Sequence, residues 1–163
     1  EKGYIPMSIN FTPANLLKSH WNSVKEGANK TGKQPNRALW RIAREIYIAD
    51  TTEQARQEAL DGTIARDYTE YFLRTLSKFN MMKIFKSDPL IPDSSITLDY
   101  LVDNIWIVGS PDDVEMKIRN LYEEVGGFGV LLAMGHEWQP KDKWLKSMQL
   151  LANNILPRIH DLR

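Results

Sequence analysis

Cysteine is absent from all 163 residues, which rules out disulfides and thiolate metal sites. The lack of cysteine fits a reducing cytoplasm, the location expected for this chain. The three histidines, His20, His136 and His160, lie far apart and without ligand spacing, so no metal site is expected. No apolar run approaches the roughly 20 residues of a membrane-spanning helix, and no stretch reads as a signal peptide. An excess of charge of either sign is also missing: 21 Lys and Arg face 21 Asp and Glu. A balanced chain has no general attraction for nucleic acid or an anionic membrane, so neither is expected as a partner. Repeats of fixed period, low-complexity tracts and domain-splitting linkers are lacking as well. The chain opens on Glu1 in mid-element, so a truncated or processed polypeptide is expected.

What is present is ordinary globular composition, 42% hydrophobic and 26% charged, arranged as alternating strands and helices. Residues 4–11 read as a strand. Thr12 and Pro13 then start a helix over about 13–31, carried by Leu17, Trp21, Val24 and Ala28. Residues 39–49 are rich in β-branched and aromatic side chains and predict a second strand. Thr51 with Gln54 forms a capping box for a helix through Leu60. After Gly62 a helical stripe resumes at Ile64, Tyr68, Tyr71, Phe72, Thr75 and Phe79. Prolines and short polar residues make 86–95 a loop, and Thr97 caps a short helix through Val102. A brief strand is expected at 105–108. Ser110-Pro111-Asp112-Asp113 is a helix start, with a hydroxyl cap, a first-turn proline and acids on the positive end of the dipole; Gly126-Gly127 is its stop. Residues 128–134 are apolar on both faces, as in a covered parallel sheet. A last helix spans 142–160, with Pro157 expected to kink its end.

This alternation is α/β. Three or four such units do not close a sheet, and unpaired apolar edges are hazardous. A (β/α)8 barrel removes them by closure. A small open flavodoxin-like sheet is the alternative, but Asn10-Phe11-Thr12-Pro13 is a poor phosphate loop for one. The expected fold is therefore the C-terminal part, about strands six to eight, of a (β/α)8 TIM barrel.

Several motifs carry a resemblance. They are WRIAREIYIADT at 40–51, YLVDNIWIVGSPDDV at 100–114, GGFG at 126–129, GHEW at 135–138, and SMQLLA at 147–152 with Leu156-Pro157. Together and in this order the chain resembles the bacterial luciferase-like flavin-dependent monooxygenases, most closely their diketocamphane and limonene monooxygenase branch. The resemblance implies that residues 1–163 are the C-terminal segment of one barrel domain, with a lid-like insertion at about 78–103. It implies reduced FMN at the C-terminal mouth, delivered by a separate flavin reductase, and oxygen inserted into a small hydrophobic substrate. It leaves a homo-oligomer open. It also implies that the phosphate contacts and the catalytic histidine lie on strands outside this chain, so no catalytic residue is assigned and the isolated chain is expected to be inactive. A deazaflavin-dependent oxidoreductase on the same barrel, and a fragment or subunit without catalysis of its own, stay open.

Active sites in such barrels gather where strands end. Ser8 and Asn10 at the end of the first strand, Tyr47 near the end of the second and His136 after the last are the candidate cofactor-binding residues. Phe11, Glu45, Tyr68, Phe72 and Met81 are the candidate substrate-binding residues. Each has a structural alternative: strand-to-helix connection for Ser8, Asn10 and Phe11, a polar loop start for His136 and Glu137, and core packing for the Tyr68, Tyr71, Phe72 stripe and for Met81 and Met82. Arg44 and Glu45 sit mid-strand on opposite faces, where burial demands partners. Ser110 reads as a cap, because Asp112 and Asp113 would repel a phosphate.

Overall fold

The computed structural model describes residues 3–162. Its centre is strand β2, Arg41–Ile48, to which every other strand pairs in parallel: β1, Met7–Ser8; β3, Ile107–Gly109; and β4, Val130–Met134. Successive side chains of β2 point to opposite faces. Ile42, Ile46 and Ile48 pack against helices α1, Ala14–Asn29, and α6, Pro111–Val125, through Leu17, Trp21, Val114 and Ile118. Tyr47 and Ala49 face a second cluster with Ala55, Ala59, Tyr68 and Leu101. Each buried aliphatic side chain contributes on the order of 1.5–3 kcal/mol, so β2 is anchored from both sides.

The other elements are α2, Thr52–Asp61; α3, Thr63–Asp67; α4, Arg74–Lys78; α5, Leu98–Asn104; and α7, Lys141–Leu150. Three caps are those the sequence indicates, whereas α1 has Pro13 at its N-cap and no side-chain cap bond, so Thr12 does not cap it. Thr51, Thr97 and Ser110 each accept a hydrogen bond from the backbone N–H three residues on. Gly126 closes α6 in the left-handed conformation, φ 76°, and the Gly127 N–H donates to Tyr122 O. No helix among the described residues is long and apolar enough to cross a membrane.

Four expected elements differ. The strand expected at 4–11 is reduced to β1, because only Met7 and Ser8 find partners on β2; Tyr4 and Met7 are exposed. The apolar stretch at 128–134 yields β4, which is only partly covered: β2 takes one edge, and among the described residues no strand takes the other. The helices expected after Gly62 and from 142 to 160 are each interrupted by a π-helical turn, Tyr68–Leu73 and Leu151–Ile155. The second precedes Pro157, which has no N–H to continue a regular helix.

Candidate functional site at the strand ends

The C-terminal ends of β1, β2 and β4 bring together residues far apart in sequence. Asn10 follows β1, Glu45 lies within β2 opposite Met134, and His136 follows β4 by two residues. Glu45 is fully buried and Asn10 nearly so. The Asn10 amide donates to Glu45 Oε1 and, at 3.2 Å, to the Tyr68 hydroxyl. His136 Nδ1 lies 2.8 Å from Asp67 Oδ2, and its Nε2 lies 3.5 Å from Glu45 Oε1 without hydrogen-bond alignment. A carboxylate only accepts, so Nδ1 carries a proton. Nε2 then faces a second carboxylate, which favours a proton there too. Burial opposes the charged ring most strongly, but Glu45 and Asp67 outweigh it, and the His136 pKa is raised above its ordinary 6.5. Asp67, bonded to His136 and to Arg66 at 3.0 Å, is held below the usual carboxylate range although burial opposes this.

An aromatic wall encloses these groups. Tyr68 is fully buried, with Trp106 at 4.9 Å and Phe72 at 5.1 Å between ring centroids; Phe11 reaches Phe72 at 4.8 Å and Phe85 at 5.4 Å. Burial, the largest cause, and the Glu45 carboxylate push the Tyr68 hydroxyl well above its usual range. Among the described residues, four buried side-chain atoms have no hydrogen-bond partner. Three of them, Glu45 Oε2, His136 Nε2 and Trp106 Nε1, belong to residues grouped around Tyr68. Leaving a buried polar group unpaired costs about 1–3 kcal/mol. Tyr68 opens the π-helical turn Tyr68–Leu73, and such turns recur at functional sites.

The sequence-derived residues divide accordingly. Asn10, Glu45, His136, Tyr68, Phe11 and Phe72 meet at this cluster. Tyr47 stands beside it, on the far side of Trp144 (ring centroids 5.3 Å), and donates to Glu58 Oε2 at 2.9 Å at the wall of a cleft of about 380 Å3. Burial, with help from Glu58, raises the Tyr47 pKa above its usual range. Ser8 is not brought in. Its register with Ile42 turns it to the α1 side, where its hydroxyl meets His20 Nδ1 and the Trp40 indole N–H, each at 3.0 Å. Met81 stands half out in solvent beside Asn80, a left-handed position, while Met82 is the buried one of the pair. Asp67 and Trp106 were missed. An Asp next to Arg66 looks like a solvated helix face, and Trp106 sits in a run that reads as plain strand.

This chain is 32% identical over 160 residues to 3,6-diketocamphane 1,6-monooxygenase of Pseudomonas putida, across 98% of its own length. The oxygenating constituent of the Pseudomonas putida 3,6-diketocamphane monooxygenase, a type II Baeyer-Villiger monooxygenase solved in complex with FMN, superposes with a TM-score of 0.86 over 96% of the chain, also at 32% identity. The chain is a homologue of the diketocamphane monooxygenases. Limonene 1,2-monooxygenase of Rhodococcus erythropolis is 30% identical over 145 residues, 88% of this chain and 35% of that protein. The luciferase-like resemblance read from the motifs is thereby shown. A coenzyme F420-dependent tetrahydromethanopterin reductase from Methanopyrus kandleri, at 14% identity and a TM-score of 0.54 over 93% of this chain and 45% of that one, shares the fold alone. No protein-family model matches. The chain spans under half of the diketocamphane relatives, 42% of the first and 43% of the solved one.

Proposed function

We propose that this chain is part of a (β/α)8 barrel monooxygenase in which reduced FMN and a small hydrophobic substrate meet at the ends of β1, β2 and β4. One observation carries the reading. In a homologue of FMN-dependent monooxygenases, three of the four buried polar atoms without a hydrogen-bond partner among the described residues gather around a single aromatic ring at the strand ends.

The residues fit one part of the cofactor and not another. Protonated His136 Nε2 and Trp106 Nε1 are donors, and Glu45 Oε2 is an acceptor. That set complements the carbonyl, N–H and carbonyl edge of the flavin ring. It does not suit a phosphate: the cluster holds two carboxylates, and its nearest guanidinium, Arg66, is tied to Asp67 and Glu137. In this reading the phosphate is held by barrel elements that this chain does not supply, and residues 1–163 form the C-terminal segment of the barrel. FMN, when bound and reduced, supplies the activation of oxygen. The chain orients and shields. Asn10 fixes Glu45, Asp67 fixes the His136 ring and keeps it charged, and Phe11, Tyr68, Phe72 and Phe85 keep water out. The stretch 78–103 acts as the lid, since Phe85, Ile96, Leu101 and Val102 pack in the same cluster as Tyr68. The solved relative is an oxygenating constituent; by the same division of labour, reduced flavin reaches this chain from a separate reductase.

A chimera tests the proposal: the upstream part of 3,6-diketocamphane 1,6-monooxygenase fused to this chain. It is expected to bind reduced FMN and take up oxygen with a terpenoid ketone. Glu45→Leu and His136→Leu are each expected to weaken flavin binding about tenfold or more, the loss of one charge-assisted hydrogen bond. Unchanged binding in both variants would remove these residues from the site.

A further inference from the structure

On the opposite face of β2 from Glu45, a cavity of about 150 Å3 lies between α6, the start of α1 and the α5–β3 connection. Arg44 lines it and is 2% exposed. Its guanidinium donates to two backbone carbonyls, Thr12 O at 2.7 Å and Ala43 O at 3.0 Å. A guanidinium has five N–H donors, so three remain. Among the described residues no carboxylate comes within 4.0 Å to form an ion pair with it. Burial, the largest effect, lowers the Arg44 pKa to about 10, and the nearby charge of Glu45 offsets this only in part. Lys117 stands in the same cavity, its ammonium donating to Val108 O at 2.9 Å, and burial lowers its pKa too. The first turn of α1 carries no side-chain cap and no acid, and Ala14 lines the cavity. Two carboxylates are also present: Asp103, bound by Arg56 at 2.5 Å, and the exposed Glu124.

We infer that this cavity is a binding site for a small oxyanion, a phosphate or a carboxylate, held by the Arg44 fork and Lys117. A buried cation whose direct partners are carbonyls alone has its charge only partly offset by Glu45 on the other face, and an oxyanion in the fork completes the offset with the bidentate geometry that a guanidinium favours. At about 30 Å3 for each water-sized group the space takes about five, enough for inorganic phosphate or a short carboxylate. Arg44 and Lys117 take no part in the flavin reading, because alternate residues of β2 serve the two faces; Trp106 alone borders both.

The test titrates inorganic phosphate, and separately acetate, into the full chain at constant ionic strength, with calorimetry and thermal unfolding as readouts. Saturable one-to-one binding of at least one anion is expected, and which of the two binds identifies the source. Lys117→Gln is expected to weaken it about tenfold. Glu124→Gln, a surface change that removes a repelling charge, is expected to tighten it. Absence of saturable binding by both anions overturns the inference, as does identical titration of both variants and the wild-type chain. Should Lys117→Gln fail to fold, Glu124→Gln alone decides: tighter binding supports the site and an unchanged titration overturns it.

Discussion

His136 shows how a single side chain inherits its state from its neighbours. Its Nδ1 proton is claimed by Asp67 and its Nε2 faces Glu45, so its charged form is favoured in the fold. A folded pKa above the unfolded value means that the interaction stabilises the fold fully below about pH 6.5 and is lost as pH rises through the raised value. Asp67 acts in the other direction: its depressed pKa stabilises the fold above about pH 4 and that contribution fades as pH falls. In an NMR titration His136 is expected to titrate above pH 6.5, and Asp67→Asn to shift that midpoint down. As pH rises from 6.5 through the raised His136 value, urea unfolding of the wild-type chain should lose stability relative to His136→Gln. Parallel curves for the two proteins would show that the ring is not held in this way. His136 was legible in the sequence by its place after a strand; its partner Asp67 was not, since only tertiary folding brings position 67 to position 136. Ser8 lies apart from the cluster for a related reason. Ser8 is in register with Ile42 and faces α1, but the turn at Asn10 breaks the alternation and sends Asn10 to the other face.

Among the elements, β2 could be read almost to its ends, because Trp40, Ile42, Ile46, Tyr47 and Ile48 concentrate strand-favouring side chains in one short stretch. β1 could not, because its length depends on partners and not on its own residues. The π-helical turns were equally invisible: a helical stripe fixes which residues are apolar, not where an extra residue shifts the phase, and so Tyr71 ended exposed while Tyr68 is buried. Gly129 has a sharper explanation. A Cβ there would lie 1.7 Å from Ala38 O, where the chain entering β4 crosses the turn Arg37–Leu39 before β2. Gly129 N–H also donates to Trp40 O at 3.1 Å. Gly129→Ala must push β4 from its register and is expected to cost at least about 2 kcal/mol in chemical denaturation. Gly27→Ala, with open space around it, should cost nothing and is expected to gain up to about 1 kcal/mol from helix propensity. Equal effects at the two glycines would refute the steric account.

For the whole molecule the decisive feature is the pair of outer edges. Among the described residues β1 and β4 each pair with β2 alone, and Met7, Ile9 and Val130 stand exposed beside them. Unpaired apolar strand edges associate. The isolated chain is expected to sediment with a concentration-dependent mass, and a monomer stable up to about 100 µM would count against open edges. It is also expected not to bind FMN with ordinary affinity, since the strand-end cluster offers nothing for a phosphate; a tight titration by the isolated chain would contradict the barrel-segment reading. The α/β class and the homology were both legible in the sequence, the first through alternation and the second through five ordered motifs. Which edges stay open emerged only from the pairing.

Trp21 of α1 and Trp40 at the start of β2 lie 5.4 Å apart between ring centroids with an interplanar angle of 26°, and Arg37 caps the pair at 4.6 and 5.7 Å. Two indoles this close couple their excited states, so the pair should give a paired-sign band in circular dichroism that disappears in Trp21→Phe. That band reports when the first helix seats on the central strand, which makes the chain its own optical clock for folding.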